Sequence, residues 1–145
     1  MFVTKSFKAV AAALMITATA APALAGGHQI WVEQYGWNNQ IGGGQMGHGQ
    51  RLTVIQDGVS NFSINTQDGA YNEAAVGQSG FNNGVDTNQV GAFNSVGIAQ
   101  IGAHNNAAVG QYGWNNAAAI VQNSTGSSAT VLQSGSGNSV AIVQD

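Results

Sequence analysis

The sequence predicts an all-β protein, a β-solenoid built from stacked strand-turn-strand rungs, each of which spans two units of a short repeat. Two observations lead to this prediction. Glutamine recurs at every eleventh position from Gln34 to Gln144, with no insertion or deletion. Between successive glutamines the regular positions alternate, which is the periodicity of a β-strand. A fixed repeat of this kind is typical of proteins whose neighbouring repeats stack to bury a continuous core.

The repeating unit reads Q-x-G-x-x-N-x-φ-x-φ-x, where φ is usually aliphatic. Its glutamines are Gln34, Gln45, Gln56, Gln67, Gln78, Gln89, Gln100, Gln111, Gln122, Gln133 and Gln144. At the Gly position Ser124 is the one exception, and the other units carry Gly36, Gly47, Gly58, Gly69, Gly80, Gly91, Gly102, Gly113 and Gly135. At the Asn position Gln50 and Ser127 depart, and the other units carry Asn39, Asn61, Asn72, Asn83, Asn94, Asn105, Asn116 and Asn138.

A right-handed coiled coil is the alternative for such a period, because 11/3 residues per turn is close to the helical repeat. That structure needs apolar residues three and four apart, whereas the regular offsets here are 5, 7, 9 and 11. A glycine in every unit would also cost a helix about 1 kcal/mol each. Each unit is therefore predicted to be a strand of about seven residues followed by the turn x-G-x-x, in which Gly allows a positive φ. The ten units of residues 34–145 then make five rungs, with each unit above the unit two before it.

Alternate units share a column of the predicted core, and the two columns differ. One column is aliphatic throughout, while the other is polar toward the N-terminus, where Ser63 and Asn65 point inward and Phe62 and Ile64 outward. We expect that rung to be the least stable. The aliphatic residues predicted to fill the core are Leu52, Val54, Val76, Val96, Ile98, Val109, Ile120, Val131, Val140 and Ile142.

The inward glutamines and asparagines are predicted to form self-assembly ladders. A buried amide without partners costs several kcal/mol, but identical amides stacked on every rung can donate and accept along the stack, as in cross-β assemblies. The glutamines would fall into two ladders, one from Gln34 to Gln144 and one from Gln45 to Gln133. The alternative, solvated surface glutamine, does not explain why this position is more regular than any aliphatic one.

The N-terminal segment 1–25 has the features of a secretory signal peptide. Lys5 and Lys8 precede an apolar run at Ala9–Ile16, and the segment ends in the A-x-A sequence Ala23-Leu24-Ala25. Cleavage is expected after Ala25, leaving a short N-terminal leader at residues 26–33; a buried N-terminal helix is the alternative. The apolar run is too short for a transmembrane segment.

Composition argues against several classes of function. Removal of the signal peptide leaves one arginine against six acidic residues, a charge of about −5, so nucleic acid is an unexpected partner. The sequence contains no cysteine, no GxSxG, no P-loop and no zinc-type spacing. His28, His48 and His104 are expected in separate surface turns. No catalytic residue, cofactor site or metal site is therefore predicted, and the protein is not expected to be an enzyme.

Two further features bear on assembly. The end rungs of a solenoid normally need caps, and neither a proline in the repeats nor a capping helix is predicted, so the ends are expected to add further subunits. Several aromatic residues are expected in turns, where they either bundle fibrils and bind surfaces or cover glycine-rich backbone; these residues are Tyr35, Trp37, Tyr71, Phe81, Phe93, Tyr112 and Trp114.

The unit Q-x-G-x-x-N with its aliphatic positions, repeated from Gln34 to Gln144, resembles the curlin repeat, the building block of curli amyloid fibres on Gram-negative bacteria. The resemblance implies a self-assembling fibre subunit that is exported through the periplasm and a curli outer-membrane secretion channel with periplasmic accessory proteins. It also implies roles in adhesion and biofilm matrix, and a curlin nucleator as partner. The regular last unit, which lacks Lys and Arg, resembles the major subunit more than the minor nucleator, although the leader is shorter than that of the family's major subunit. The rival interpretation is a monomeric secreted solenoid that binds ice or carbohydrate.

Overall fold

The computed structural model describes residues 26–145, and the predicted signal peptide with its cleavage point lies outside the described residues. Eleven strands follow one another, each separated from the next by a short connection. They are β1 (Gln29–Trp37), β2 (Gln40–His48), β3 (Arg51–Val59), β4 (Phe62–Ala70), β5 (Glu73–Phe81), β6 (Gly84–Ala92), β7 (Ser95–Ala103), β8 (Asn106–Trp114), β9 (Ala117–Thr125), β10 (Ser128–Ser136) and β11 (Ser139–Gln144).

The strands form two parallel sheets that face each other across the core. One sheet has the order β1-β3-β5-β7-β9-β11 and the other the order β10-β8-β6-β4-β2. Within each sheet neighbouring strands pair in register, so that Gln56 pairs with Gln78 and Gly58 with Gly80. The predicted β-solenoid, in which two units of the repeat make one rung, is confirmed.

Except for β11, the strands are longer than predicted, and only two residues connect one strand to the next. The reason is that the regular Gly does not interrupt pairing: Gly58 has a φ of 118° and still pairs with Gly80. The reversal is completed two residues later by a residue in the left-handed region, such as Ser60 with a φ of 59°. The same conformation recurs at Asn38, Tyr71, Asn82, Phe93, His104 and Asn115, and at Gly49, Gly126 and Gly137.

The glycines of the repeat are also required by the close approach of the next rung. A Cβ atom built on Gly80 would lie 1.9 Å from the carbonyl oxygen of Gly102. The glycine position is therefore set by two constraints together, a positive φ and a backbone oxygen where a side chain would start.

One strand lies outside the predicted repeats. The segment 26–33, interpreted from the sequence as a leader, contributes Gln29–Glu33 to β1. Ile30 and Val32 pair with Leu52 and Val54 of β3 and so extend the aliphatic column by one strand. The described stack thus holds an eleventh strand in addition to the ten units of the repeat.

The core lies between the sheets and consists of one aliphatic cluster flanked by amides. The predicted residues Leu52, Val54, Val76, Val96, Ile98, Val109, Ile120 and Val131 are buried. Val140 and Ile142 are only half-buried, because β11 is the last described strand of its sheet and nothing covers its outer edge.

The polar part of the core is hydrogen-bonded internally. Ser63 and Asn65 of β4 are fully buried, while Phe62 and Ile64 are 41% and 37% exposed, as the shifted alternation predicts. Asn65 donates to the Ser63 hydroxyl at 2.8 Å and accepts from the Thr87 hydroxyl at 2.8 Å. These bonds offset the cost of burying polar groups, but they replace the aliphatic contacts of the other rungs.

Gly80→Ala is expected to lower the free energy of unfolding by more than about 2 kcal/mol. The alanine side chain disfavours the positive φ at this position, and its Cβ overlaps the carbonyl oxygen of the next rung, so the backbone must move. The matched control is Gly97→Ala in β7, where the added Cβ has no atom within 4 Å and φ is not in the left-handed region. Urea unfolding of both variants measures the difference. Equal stability of the two would contradict the glycine argument.

The backbone amides of β4 are expected to exchange faster than those of Ala117–Val121 in β9. The reason is that Ser63 and Asn65 bury less apolar area than the aliphatic residues of β9, so local opening costs less there. Hydrogen–deuterium exchange resolved by strand measures this difference. Slower exchange in β4 would show that the buried polar network stabilises its rung more than aliphatic packing does.

Candidate assembly surface

The buried glutamines form two continuous hydrogen-bonded ladders. In the six-stranded sheet Gln34, Gln56, Gln78, Gln100, Gln122 and Gln144 are joined by Nε2–Oε1 bonds of 2.7–2.9 Å. In the five-stranded sheet Gln45, Gln67, Gln89, Gln111 and Gln133 are joined by bonds of 2.5–3.0 Å. The interior glutamines are buried, and their amides are saturated by one another rather than by solvent.

Each ladder has a fixed direction. Gln56 Nε2 donates to Gln78 Oε1 at 2.7 Å and to the backbone carbonyl of Gln40, in the opposite sheet, at 3.1 Å. Since a carbonyl can only accept, the nitrogen must face it, and this settles which amide atom is which. Every glutamine in the ladders therefore donates toward the C-terminal end of the stack and accepts from the N-terminal end.

The asparagines stand at the corners between strands and cap the backbone there. Asn83 Nδ2 donates to the carbonyls of Ser79 at 3.3 Å and Gly102 at 3.1 Å, and Asn83 Oδ1 accepts the backbone N–H of Asn105 at 3.1 Å. The other corner asparagines repeat this pattern along two ladders, one starting at Asn39 and the other ending at Asn138. These bonds satisfy the polar groups that each chain reversal leaves unpaired.

The two departures from the Asn position behave differently. Ser127 still donates its backbone N–H to Asn105 Oδ1, and its hydroxyl contacts that of Ser124 at 2.5 Å. Gln50 donates to the carbonyls of Met46 and Gly69 as an asparagine would, but its Oε1 is buried with no hydrogen-bond partner among the described residues. The longer side chain displaces the oxygen from the place where asparagine accepts.

The histidines and aromatic residues described here lie at or near the corners where the chain passes from one sheet to the other. His28 Nδ1 accepts the backbone N–H of Gln50, while His48 contacts the Tyr71 ring and His104 the Phe81 ring, each edge to face. Within residues 26–145 no three His, Cys, Asp or Glu side chains come together as a metal site would require. Tyr71 stacks on Phe93 at 5.3 Å, and its ring occupies the space beside Gly49 that a side chain there would need. Tyr35, Trp37 and Trp114 instead project into solvent.

The C-terminal edge of the stack presents unpaired backbone groups. The first residue of every strand from β1 to β9 donates its N–H to the carbonyl just before the next strand of its sheet, as Ala117 does to Asn138 at 2.8 Å. Ser128 and Ser139, which begin β10 and β11, have no such partner in the described part of the chain. The backbone hydrogen bonds of a parallel strand alternate between its two neighbours. The residues of β10 and β11 whose side chains point to solvent therefore direct their N–H and C=O groups at this open edge.

The N-terminal edge is the counterpart of the C-terminal one. By the same alternation, the residues of β1 and β2 whose side chains point into the core direct their backbone N–H and C=O groups at the open N-terminal edge. Ile30, at an inward position, is nevertheless 55% exposed because no described strand covers it. Gln45 Oε1, which heads the second ladder, is buried and has no hydrogen-bond partner among the described residues.

The strands and the ladders together form a β-solenoid. Its two ends expose the same donor and acceptor groups that are hydrogen-bonded in its interior, and no described residue pairs with them there. Residues 82–113, from the connection after β5 into the end of β8, match the curlin associated repeat family. This match supports the resemblance to the curlin family. Comparison with curated proteins gave no significant match. No helix in the described part of the chain is long and apolar enough to cross a membrane.

Gln100→Leu is expected to lower the free energy of unfolding by about 2–4 kcal/mol, because it leaves Gln122 Oε1 buried without a donor and removes the N–H that Gln100 donates to the Gly84 carbonyl. The matched control is Gln40→Leu, at an exposed position in β2, which should change stability by less than about 0.5 kcal/mol. Urea unfolding measures both. A neutral Gln100→Leu would mean that the ladder adds no more stability than apolar packing does.

Proposed function

We propose that this chain is a structural subunit of extracellular curli-type functional amyloid fibres, which grow by templated addition of strands at the open ends of the solenoid. The observation that carries the proposal is the state of the two ends. The outer edges of β10 and β11 offer the same N–H, C=O and amide groups as each interior rung, and no described residue covers them. An incoming strand finds there the bonds that it would make inside the solenoid.

The low charge of the chain favours this association. Charged residues make up 6% of the sequence, and the one ion pair in the described chain, Arg51 with Glu73 at 3.6 Å, is exposed. Such surface pairs contribute about 0–1 kcal/mol, so neither repulsion nor ion pairing dominates contact between copies. The exposed Leu132 and Val143 lie beside the open edge, where a further rung would cover part of each.

The cellular part of the proposal follows from the resemblance to curlins and from the predicted signal peptide. The chain is exported through the periplasm and an outer-membrane secretion channel, with periplasmic accessory proteins, and assembles on the surface of a Gram-negative cell, where its fibres serve adhesion, aggregation and biofilm matrix. It acts as the major subunit, and a separate nucleator starts the fibre. The proposal assigns it no catalysis and no cofactor, since curlin-type solenoids are a structural fold.

A monomeric binding solenoid would need one outward row of a repeated residue type. The outward row of the six-stranded sheet instead begins each strand with Gln29, Arg51, Glu73, Ser95, Ala117 and Ser139, which share neither charge nor shape. Incubation of the purified chain separates the two functions, because thioflavin-positive fibres with a cross-β spacing of roughly 4.8 Å are expected only from the fibre subunit.

Ala141→Pro is expected to stop fibre elongation. Proline at Val140 or Ile142 would break a bond inside the subunit, because the N–H groups of these inward residues face β9. Ala141 is an outward residue whose N–H faces the open edge. The control is Ala141→Thr, which keeps the N–H. Seeded thioflavin growth should fall at least ~10-fold for the proline variant only, in line with the loss of a ladder bond. Unchanged growth would show that β11 is not a template.

A further inference from the structure

The described solenoid contains an odd number of strands, six in one sheet and five in the other. A second copy can therefore continue the stack in two different ways. If it docks without rotation, its β1 lies on β11, and its β2 has no strand beneath it because the place beyond β10 stays empty. If it is rotated by half a turn about the solenoid axis, its β1 lies on β10 and its β2 on β11. Only the rotated copy continues both sheets without a gap.

We propose that successive copies join head to tail with a half-turn between them, so that β10 pairs with the next copy's β1 and β11 with its β2. The proposal rests on the proposed function and specifies the surface through which it operates. The repeat makes the exchange of sheets possible, because both sheets carry the same Gln, Gly and Asn positions at the same heights.

The strongest support for this junction is a buried acceptor at the N-terminal end that has no hydrogen-bond partner among the described residues. Gln144 Nε2 donates to the carbonyl of Ser128 at 3.2 Å, and its other hydrogen points toward the next rung, as in every interior glutamine. Gln45 Oε1 is buried without a partner among the described residues. The half-turn places the second copy's Gln45 directly over Gln144, so this donor and this acceptor complete each other. Docking without rotation places Gln45 over an empty slot and leaves its oxygen unpaired.

The second glutamine ladder and one asparagine ladder also continue across the same junction. Gln133 Nε2 donates to the Ala117 carbonyl at 3.0 Å and has its second hydrogen directed at the place of the second copy's Gln34. At the corner, Asn116 Oδ1 accepts the N–H of Asn138, and Asn138 Oδ1 is placed to accept the N–H of the second copy's Asn39 in the same way. The unrotated junction instead leaves the Gln133 donor unpaired, together with one edge of both β10 and β2.

The apolar core also closes at the rotated junction. With Gln133 opposite Gln34, Ala129 faces the second copy's Ile30 and Val131 its Val32, all at inward positions. Ile30 is 55% exposed in the isolated chain, and this contact covers it. Each copy then lengthens the fibre by roughly 26 Å, because its eleven strands alternate between two sheets and each adds half of the ~4.8 Å strand spacing. Neighbouring copies present opposite sheets to the same side of the fibre.

Disulfide trapping tests the junction, because the chain has no native cysteine. Paired residues of adjacent strands have Cα atoms about 4.8 Å apart, within the range that a disulfide spans, whereas facing sheets lie ~10 Å apart. The rotated junction pairs Gln29 with Ser128, and the unrotated junction pairs Gln29 with Ser139. The two serines are matched, since each is exposed and begins its strand.

Chains carrying Gln29→Cys are mixed with chains carrying Ser128→Cys or Ser139→Cys, assembled under reducing conditions and then oxidised. We expect at least ~5-fold more mixed disulfide dimer with Ser128→Cys, by the distance limit on disulfides. Gln40→Cys with Ser139→Cys examines the same junction in the other sheet and should also cross-link; this second pair decides the result if Gln29→Cys slows assembly.

Three cross-linking results would overturn the junction by itself. Preferential cross-linking of Gln29→Cys with Ser139→Cys would establish an unrotated stack. Self-cross-linking of Ser128→Cys chains would establish a tail-to-tail contact. Fibres that give none of these cross-links would place the contact elsewhere and leave the proposed fibre function standing. Absence of fibres from the unsubstituted chain is seen before any oxidation, and it would overturn the proposed function and the junction together.

Discussion

The structure depends on the in-register stacking of identical amides. A buried glutamine such as Gln89 is fully satisfied only if the residue at the same height in the next rung is also glutamine, here Gln111 at 3.0 Å. Its second N–H ties the same amide to a carbonyl of the opposite sheet, so the ladders hold the two sheets together as well as the rungs. Insertion of one residue would turn the side chains of a strand to the other face. This constraint explains why the spacing is invariant from Gln34 to Gln144.

The same constraint explains which positions of the repeat vary. In one column the inward aliphatic residues change between Leu52, Ala74, Val96 and Ala118 while the glutamines do not. Apolar contacts have little directionality, and a smaller side chain loses contact area without leaving a polar atom unpaired. Polar substitutions are found where a partner accompanies them: Ser124 contacts Ser127, and Asn65 contacts both Ser63 and Thr87.

The period in the sequence was sufficient to predict the fold class, the register and the pairing of glutamines, because each follows from spacing. The strand limits could not be predicted, since pairing continues through Gly58 at a φ that is ordinarily associated with a turn. The residue with a left-handed φ at each corner gave only a weak sequence signal. It is Asn or Gly at six of the ten corners, but Tyr71, Phe93 and His104 stand at three of the others. β1 was missed because no glutamine precedes it and His28 stands in the place of Asn; Ile30 and Val32, two apart, were the available sign.

The direction of the amide bonds constrains how such a solenoid can meet another copy of itself. All the ladder glutamines donate toward the C-terminal end, so that end offers N–H groups at Gln133 and Gln144, while the N-terminal end offers the acceptor of Gln45. Two like ends would bring donor to donor or acceptor to acceptor, whereas unlike ends complement each other. Polarity therefore selects head-to-tail contact, and the odd number of strands then selects the half-turn, since only that rotation gives both glutamine donors, Gln133 and Gln144, an acceptor in the next copy. The rule is general for a repeat of this kind: an even number of strands joins without rotation, and an odd number requires the sheets to exchange places at each junction.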